Sequence, residues 1–220
     1  MTPSSEDELR EQRRRKLERV RERGEDVYPH VYHRTHTAAE ALASIESLGD
    51  HPISIAGRIV AWRPMGKVVF GHIQDGSGRL QLYFRRDDLG DEAFDALRDF
   101  DLWDVIGASG FLFRTNTGEI TLHVTQARLL AKCLESPPEK YHGLQDVEAR
   151  YRQRYLDLIA NEDSRSVFVT RSLIVRAMRR FLDDRGFLEV ETPTLQPLYG
   201  GAAARPFETF HNDLERNLYL

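Results

Sequence analysis

The sequence predicts an α+β protein in two parts, a five-stranded β-barrel with flanking helices and then a long helix that opens a second domain. Three observations carry this. Between residues 53 and 130 apolar side chains alternate with polar ones and are interrupted by turns rich in Gly, Asn and Asp. Pro137 and Pro138 then mark a linker. Beyond Asn161 the apolar residues recur at three- and four-residue steps, the helical spacing.

Composition narrows the classes. With 40% hydrophobic and 30% charged residues over 220 positions, the chain suits one large or two modest globular domains. The absence of an apolar run of membrane length, and of an apolar centre in the charged N-terminal stretch, predicts a cytoplasmic protein with no membrane partner. Cys133 is the only cysteine, which excludes an intrachain disulfide and a cysteine zinc site. The eight histidines are scattered, so no metal site is expected. A net charge of -4 means that nucleic acid, if bound, must be met by a local patch.

Residues 1–8 are polar, terminal and expected to be disordered. Residues 9–23 predict a charged helix that Gly24 stops, with Leu9, Leu17 and Val20 as its narrow packing seam. Residues 28–36 form an irregular connection. Thr37 caps a helix over 38–48 that buries Ala41, Leu42 and Ile45, and Gly49, Asp50 and Pro52 end it. These residues make up an N-terminal helical extension, 1–50.

The barrel follows, over 51–133. In its first strand Ile53, Ile55, Gly57, Ile59 and Ala61 alternate inward, up to a turn at Pro64-Met65-Gly66. The second strand covers 67–74 and, after the Asp75-Gly76-Ser77-Gly78 turn, the third covers 79–85. A helix over 91–100 turns Phe94 and Leu97 inward. Strands over 105–113 and 119–130, joined through Asn116-Thr117-Gly118, complete the set. Five strands with a helix between the third and fourth is the order of an OB-fold, which binds oligonucleotides on strands two and three and on adjoining loops. Parity divides the faces. Val69, Ile73, Leu80, Leu82, Phe84, Ile120, Leu122 and Val124 point inward, leaving Phe70, His72, Gln81, Tyr83, Glu119 and His123 outside. An outward aromatic beside an amide and a carboxylate suits unpaired bases, with Phe70 stacking and Gln81 and Glu119 hydrogen-bonding. Ordinary packing of Phe70 under a loop, with Glu119 as a solvated strand edge, is the competing reading.

Residues 134–148 form the linker. The stretch 140–159 is rich in Tyr and Arg, compatible with an RNA patch and better explained as packing between domains or subunits. Asn161, Glu162, Asp163 and Ser164 offer capping groups for the long helix. Its core side comprises Phe168, Leu173, Ile174, Ala177, Met178, Phe181 and Leu182, and Gly186 closes it. Residues 187–192 then run as a strand that Pro193 ends. Gly200 and Gly201 let backbone approach a small ligand, although a plain turn explains them equally well.

The helix with Gly-Phe-Leu-Glu-Val-Glu-Thr-Pro resembles motif 1 of class II aminoacyl-tRNA synthetases, and Gly-Gly-Ala-Ala-Ala-Arg-Pro-Phe narrows the likeness to bacterial-type lysyl-tRNA synthetases. Tyr141-His142-Gly143-Leu144-Gln145-Asp146 and Arg150-Tyr151-Arg152-Gln153-Arg154-Tyr155-Leu156-Asp157 extend it. The resemblance implies a lysine–tRNA ligase with tRNA(Lys), lysine and ATP as partners, Mg2+ as cofactor and a homodimeric assembly. It makes the barrel the anticodon-binding domain, with Arg63, Phe70, Gln81 and Glu119 reading a U-rich anticodon. For Arg63, simple alternation would send the side chain inward. It assigns Gly200, Gly201 and Ala202 to the amino-acid-binding loop, and Phe187, Glu189 and Pro193 to the dimer interface. It also raises the alternative that the arginines of residues 9–23 touch tRNA phosphates.

Residues 149–220 match only the start of the family's antiparallel-sheet catalytic domain, since motifs 2 and 3 with their ATP-binding arginines lie past Leu220. No catalytic residue is therefore assigned. The 220 residues alone are expected to lack lysine-dependent pyrophosphate exchange, and residues from about 187 onward to be poorly ordered or aggregation-prone in isolation. A non-catalytic module for RNA binding or dimerisation is the alternative function.

Overall fold

The computed structural model describes residues 5–49, 51–135, 144–200 and 205–220. The chain divides into two compact units, Met1–Gly143 and Leu144–Leu220. Each is built around a different kind of order.

The first unit is a closed barrel with strand order β1-β2-β3-β5-β4, formed by β1 (Ile53–Met65), β2 (Val68–Gln74), β3 (Arg79–Arg85), β4 (Val105–Arg114) and β5 (Ile120–Ala131). All neighbours are antiparallel except β3 and β5, which run parallel and close the cylinder. The predicted inward set fills it: Ile53, Ile55, Ile59, Val69, Ile73, Leu80, Leu82, Phe84, Leu122 and Val124 are all buried. Closure removes exposed strand edges, and burial of these side chains supplies the main favourable term.

In β1 alternation fails at one point. Ile59 pairs with Ile73 and Ala61 with His72, so Val60 is an extra residue in β1, a β-bulge. Past the bulge the faces exchange. Trp62, rather than the expected Ala61, packs on the core, with its ring 5.2 Å from Phe84 and 5.9 Å from Phe100. Gly71, its partner in register, makes room, because a Cβ there would lie 2.8 Å from the indole. Arg63 consequently emerges on the outside, which resolves its orientation against simple alternation.

Flanking helices depart from expectation at their ends. Helix α1 (Ser5–Glu22) begins inside the stretch expected to be disordered. Leu17 and Val20 form its buried seam, while Leu9 is exposed. Gly24, at φ 77°, closes it, with Gly24 N–H donating to Arg21 O and Glu25 N–H to Val20 O. The predicted 38–48 helix is broken at Ser44 into α2 (Ala38–Ala43) and α3 (Ile45–Leu48), so Ala38 and Ala41 are buried while Ile45 is only half-buried. Thr37 caps α2 as expected, and Glu40 returns the bond to the Thr37 amide. Helices α4 (Arg86–Leu89) and α5 (Asp91–Ala96) and a 3-10 turn (Leu97–Asp99) follow β3, with Phe94 and Leu97 inward.

Beneath the barrel lies a charge network that sequence spacing did not reveal. The fully buried Lys132 ammonium donates to Asp99 O at 2.8 Å, Asp101 Oδ2 at 2.6 Å and Asp104 Oδ2 at 2.7 Å. Its donors are thus fully engaged. Lys16 pairs with Asp101, and Arg19 and Arg23 with Asp99, so α1 is clasped to the barrel by ions as well as by its seam. Burial pushes the Asp104 carboxyl up despite Lys132. Burial also acts on Asp101, but bonds from Lys132 and Lys16 outweigh it and hold that carboxyl below its usual range.

The second unit contains α6 (Val147–Arg152), α7 (Arg154–Ala160), α8 (Glu162–Asp183) and a hairpin of β6 (Glu208–His211) and β7 (Arg216–Tyr219), which sequence reading did not anticipate. Its anchor is Asp157. This buried carboxylate accepts from Asn161 Nδ2, Arg150 Nε and Ser164 Oγ at 2.6, 2.8 and 3.0 Å, and from Arg154. Burial opposes ionisation, yet these donors bring the pKa down to about 2. Asn161 accordingly does not cap α8 through its side chain, which bonds Leu144 and Asp157 instead.

Helix α8 forms where its period predicts, but its expected core side is not buried. Leu173, Ile174, Met178, Phe181 and Leu182 are between 44% and 61% exposed. Periodicity specifies which face is apolar; covering that face needs a partner surface. The Gly186 closure is as expected, at φ 77°, with Phe187 N–H donating to Leu182 O. Residues 187–192 join no ladder, contrary to the predicted strand. Among the described residues, Gln196 makes an isolated bridge with Tyr219.

Candidate nucleic-acid interface

Three strands bring the predicted reading residues onto one outer face of the barrel. Register pairs Arg63 with Phe70 across β1 and β2, Phe70 with Tyr83 across β2 and β3, and His72 with Gln81 beside them. Directly opposed residues share a face, so the bulge at Val60 is what brings Arg63 to this side. Strand β5 adds Thr121 opposite Gln81 and His123 opposite Tyr83.

Phe70 is half-buried and leans on Tyr83, with ring centroids 5.1 Å apart. Tyr83 also contacts Phe113 at 5.8 Å and His123 at 5.4 Å, making a continuous aromatic floor. His123 Nε2 reaches Asp88 Oδ2 at 2.7 Å. The Arg85 hydrogen bond holds the Asp88 carboxyl low, opposed by burial and aided by His123.

Beside this floor is a polar edge. Glu119 takes His72 Nε2 at 3.0 Å on one carboxylate oxygen and Gln81 Nε2 at 2.8 Å on the other. Gln81 Oε1 accepts from the buried Thr121 hydroxyl at 2.7 Å, which fixes the amide with its NH2 toward Glu119. Gln81 is only 8% exposed, covered by these neighbours rather than by the barrel core. One amide hydrogen remains available to an incoming group. Arg63 is exposed at the rim. Together these groups offer a ring to stack on, a carboxylate acceptor, an amide donor and a guanidinium for phosphate or a base edge.

The other predicted sites are less complete. Gly200 has open space around it, while Gly201 and Ala202 lie outside the described residues. Phe187, Glu189 and Pro193 are exposed, and Glu189 pairs with Arg179 at 2.9 Å. On α1 the inward cations are engaged by Asp99, Asp101 and Glu135, which accounts for much of its basic character structurally. Two residues that sequence reasoning had left without a role, His72 and Thr121, belong to the polar edge. Their signal was parity, because each occupies an outward position beside Gln81.

Comparison with known proteins agrees with this geometry. Residues 53–130 match the family described as OB-fold nucleic acid binding domain, and residues 146–220 match tRNA synthetases class II (D, K and N). The chain is 58% identical over 217 residues to a lysine–tRNA ligase of Roseiflexus castenholzii. It matches the N-terminal portion of lysine–tRNA ligases. The ligase of Chloroflexus aurantiacus is 54% identical and that of Pelotomaculum thermopropionicum 50%, each over 97% of this chain. The chain spans 44% of the Roseiflexus and Chloroflexus proteins and 42% of the Pelotomaculum protein. Among the described residues no helix is long and apolar enough to cross a membrane.

Proposed function

We propose that this chain supplies the anticodon-reading part of a lysine–tRNA ligase, together with the opening segment of its catalytic domain. In the whole enzyme, lysine is joined to ATP as lysyl-adenylate and then transferred to tRNA(Lys), in a cytoplasmic homodimer whose interface includes Phe187, Glu189 and Pro193. The domain limits follow the sequence reading: helical extension 1–50, barrel 51–133, linker 134–148, and catalytic start 149–220. Gly200, Gly201 and Ala202 belong to the loop that meets lysine. ATP and Mg2+ are the cofactors of the whole enzyme in this reading; among the described residues there is no cluster of three or more metal-ligating side chains.

The observation that carries the reading is the shared outer face: Phe70 on Tyr83 at 5.1 Å, with Arg63 opposite in register and the Gln81–Glu119 edge beside it. An aromatic floor with a polar edge suits splayed single-stranded bases, whose faces stack and whose edges hydrogen-bond. Fluorescence anisotropy with a labelled lysine anticodon stem-loop tests it. Phe70→Ala should weaken binding by about 5- to 150-fold, the loss of roughly 1–3 kcal/mol of stacking. Equal affinity of variant and parent would remove the barrel face from recognition.

A further inference from the structure

The Glu119 carboxylate stands immediately before β5 and is about half-exposed, with side-chain exposure of 48%. Its main chain is fixed: Glu119 N–H donates to Thr115 Oγ1 at 3.1 Å, and Glu119 O accepts from Thr115 N–H at 3.0 Å. Its side chain is fixed from the other direction. His72 and Gln81 are partners in register on β2 and β3, so their donors reach the two carboxylate oxygens side by side. Gln81 is itself locked by Thr121. His72, 21% exposed, therefore makes the second of the two contacts that stop the carboxylate from rotating.

We propose that His72 is a positioning residue for base discrimination, holding Glu119 so that its free lone pairs face the Watson–Crick edge of a base stacked at Phe70. This rests on the reading of the barrel face given above. An ionised carboxylate only accepts hydrogen bonds, so the edge it reads must present an N–H. Uracil presents N3–H between two carbonyl acceptors, and the remaining Gln81 amide hydrogen suits one of those carbonyls. Cytosine presents a bare N3 at the same point, leaving two acceptors face to face. A rotated carboxylate would lose this contrast even if it still touched the RNA. His72 thus sets selectivity through Glu119 without contacting the base.

The test uses the full chain and a lysine anticodon stem-loop, alongside variants in which each anticodon uridine is replaced singly by cytidine. The parent should discriminate against at least one replacement. His72→Leu removes the donor and should reduce that uridine-to-cytidine ratio by roughly tenfold, the scale of a hydrogen bond to a charged group. His72→Gln, whose amide nitrogen reaches to about the position of imidazole Nε2, should restore it. A structural role alone would not be rescued in ratio by an amide. Both tryptophans, Trp62 and Trp103, lie in the barrel unit, so their fluorescence in urea verifies that each variant is folded. An unchanged ratio in folded His72→Leu overturns the proposal, as does a folded His72→Gln that behaves like leucine. If Phe70→Ala weakens binding while His72→Leu keeps its ratio, only this inference fails; if Phe70→Ala has no effect, the reading of the face fails first.

Discussion

The barrel and the unit beginning at Leu144 follow the same local rules and end in opposite states of burial. In the barrel every strand has two neighbours, and side chains such as Phe84 and Leu82 are fully covered. In the second unit α8 has a clear apolar side, a closing Gly186 and no comparable cover, with Phe181 at 54% exposure. Local sequence determines whether a helix or strand forms and which side is apolar; what packs against that side determines whether it is buried. The contrast extends to charge. Asp104 and Asp157 are both covered, yet burial raises the first while hydrogen bonds from Asn161, Arg150, Ser164 and Arg154 lower the second to about 2. One buried ammonium and the backbone N–H groups of Asp101 and Cys133 do not offset burial for Asp104. Two guanidinia, an amide and a hydroxyl do so for Asp157.

The largest effect that would sharpen this comparison is in the core. Phe84→Ala should cost about 3–5 kcal/mol in urea unfolding followed by tryptophan fluorescence, the range for deleting a buried ring. Phe181→Ala, at an exposed site, should stay within about 0.5 kcal/mol when followed by helical circular dichroism. Equal losses would mean that the α8 face is covered in solution and would break the contrast.

Acid should separate the units next. A carboxyl whose folded pKa lies below its unfolded value of about 3.9 stabilises the fold at higher pH, and that contribution disappears as pH falls through the folded value. For Asp157 the loss should run from about pH 4 down toward about 2, and Asp157→Asn should abolish it. Carboxyl-carbon NMR titration checks this directly, and a midpoint near 4 would show that the cluster does not hold the charge. The smallest effect is at α2. Thr37→Ala should cost about 1 kcal/mol in the same urea measurement, the usual value of an N-cap.

Much of the barrel was legible in sequence because two-residue alternation directly encodes a face. Val69, Ile73, Leu80, Leu82 and Phe84 are buried and their neighbours Phe70, Gln81 and Tyr83 share the outer side. Val60 was not legible, because Ala61 continues the apolar alternation and disguises the extra residue. Trp62, a large apolar side chain at the opposite parity, was the available sign. The Lys132 network was also hidden, since its partners lie about thirty positions upstream and spacing carries no signal across such a gap. The burial of α8 was misjudged for a different reason: period reports amphipathicity, while accessibility depends on what is packed against it.

The extra residue at Val60 gives the outer face an unusual genetic vulnerability. Removing that single codon would leave every side chain of the candidate face encoded, yet it would turn the guanidinium of Arg63 toward an oily interior and expose an indole in its stead. A frame-preserving deletion there should therefore be more harmful than replacing Arg63 itself.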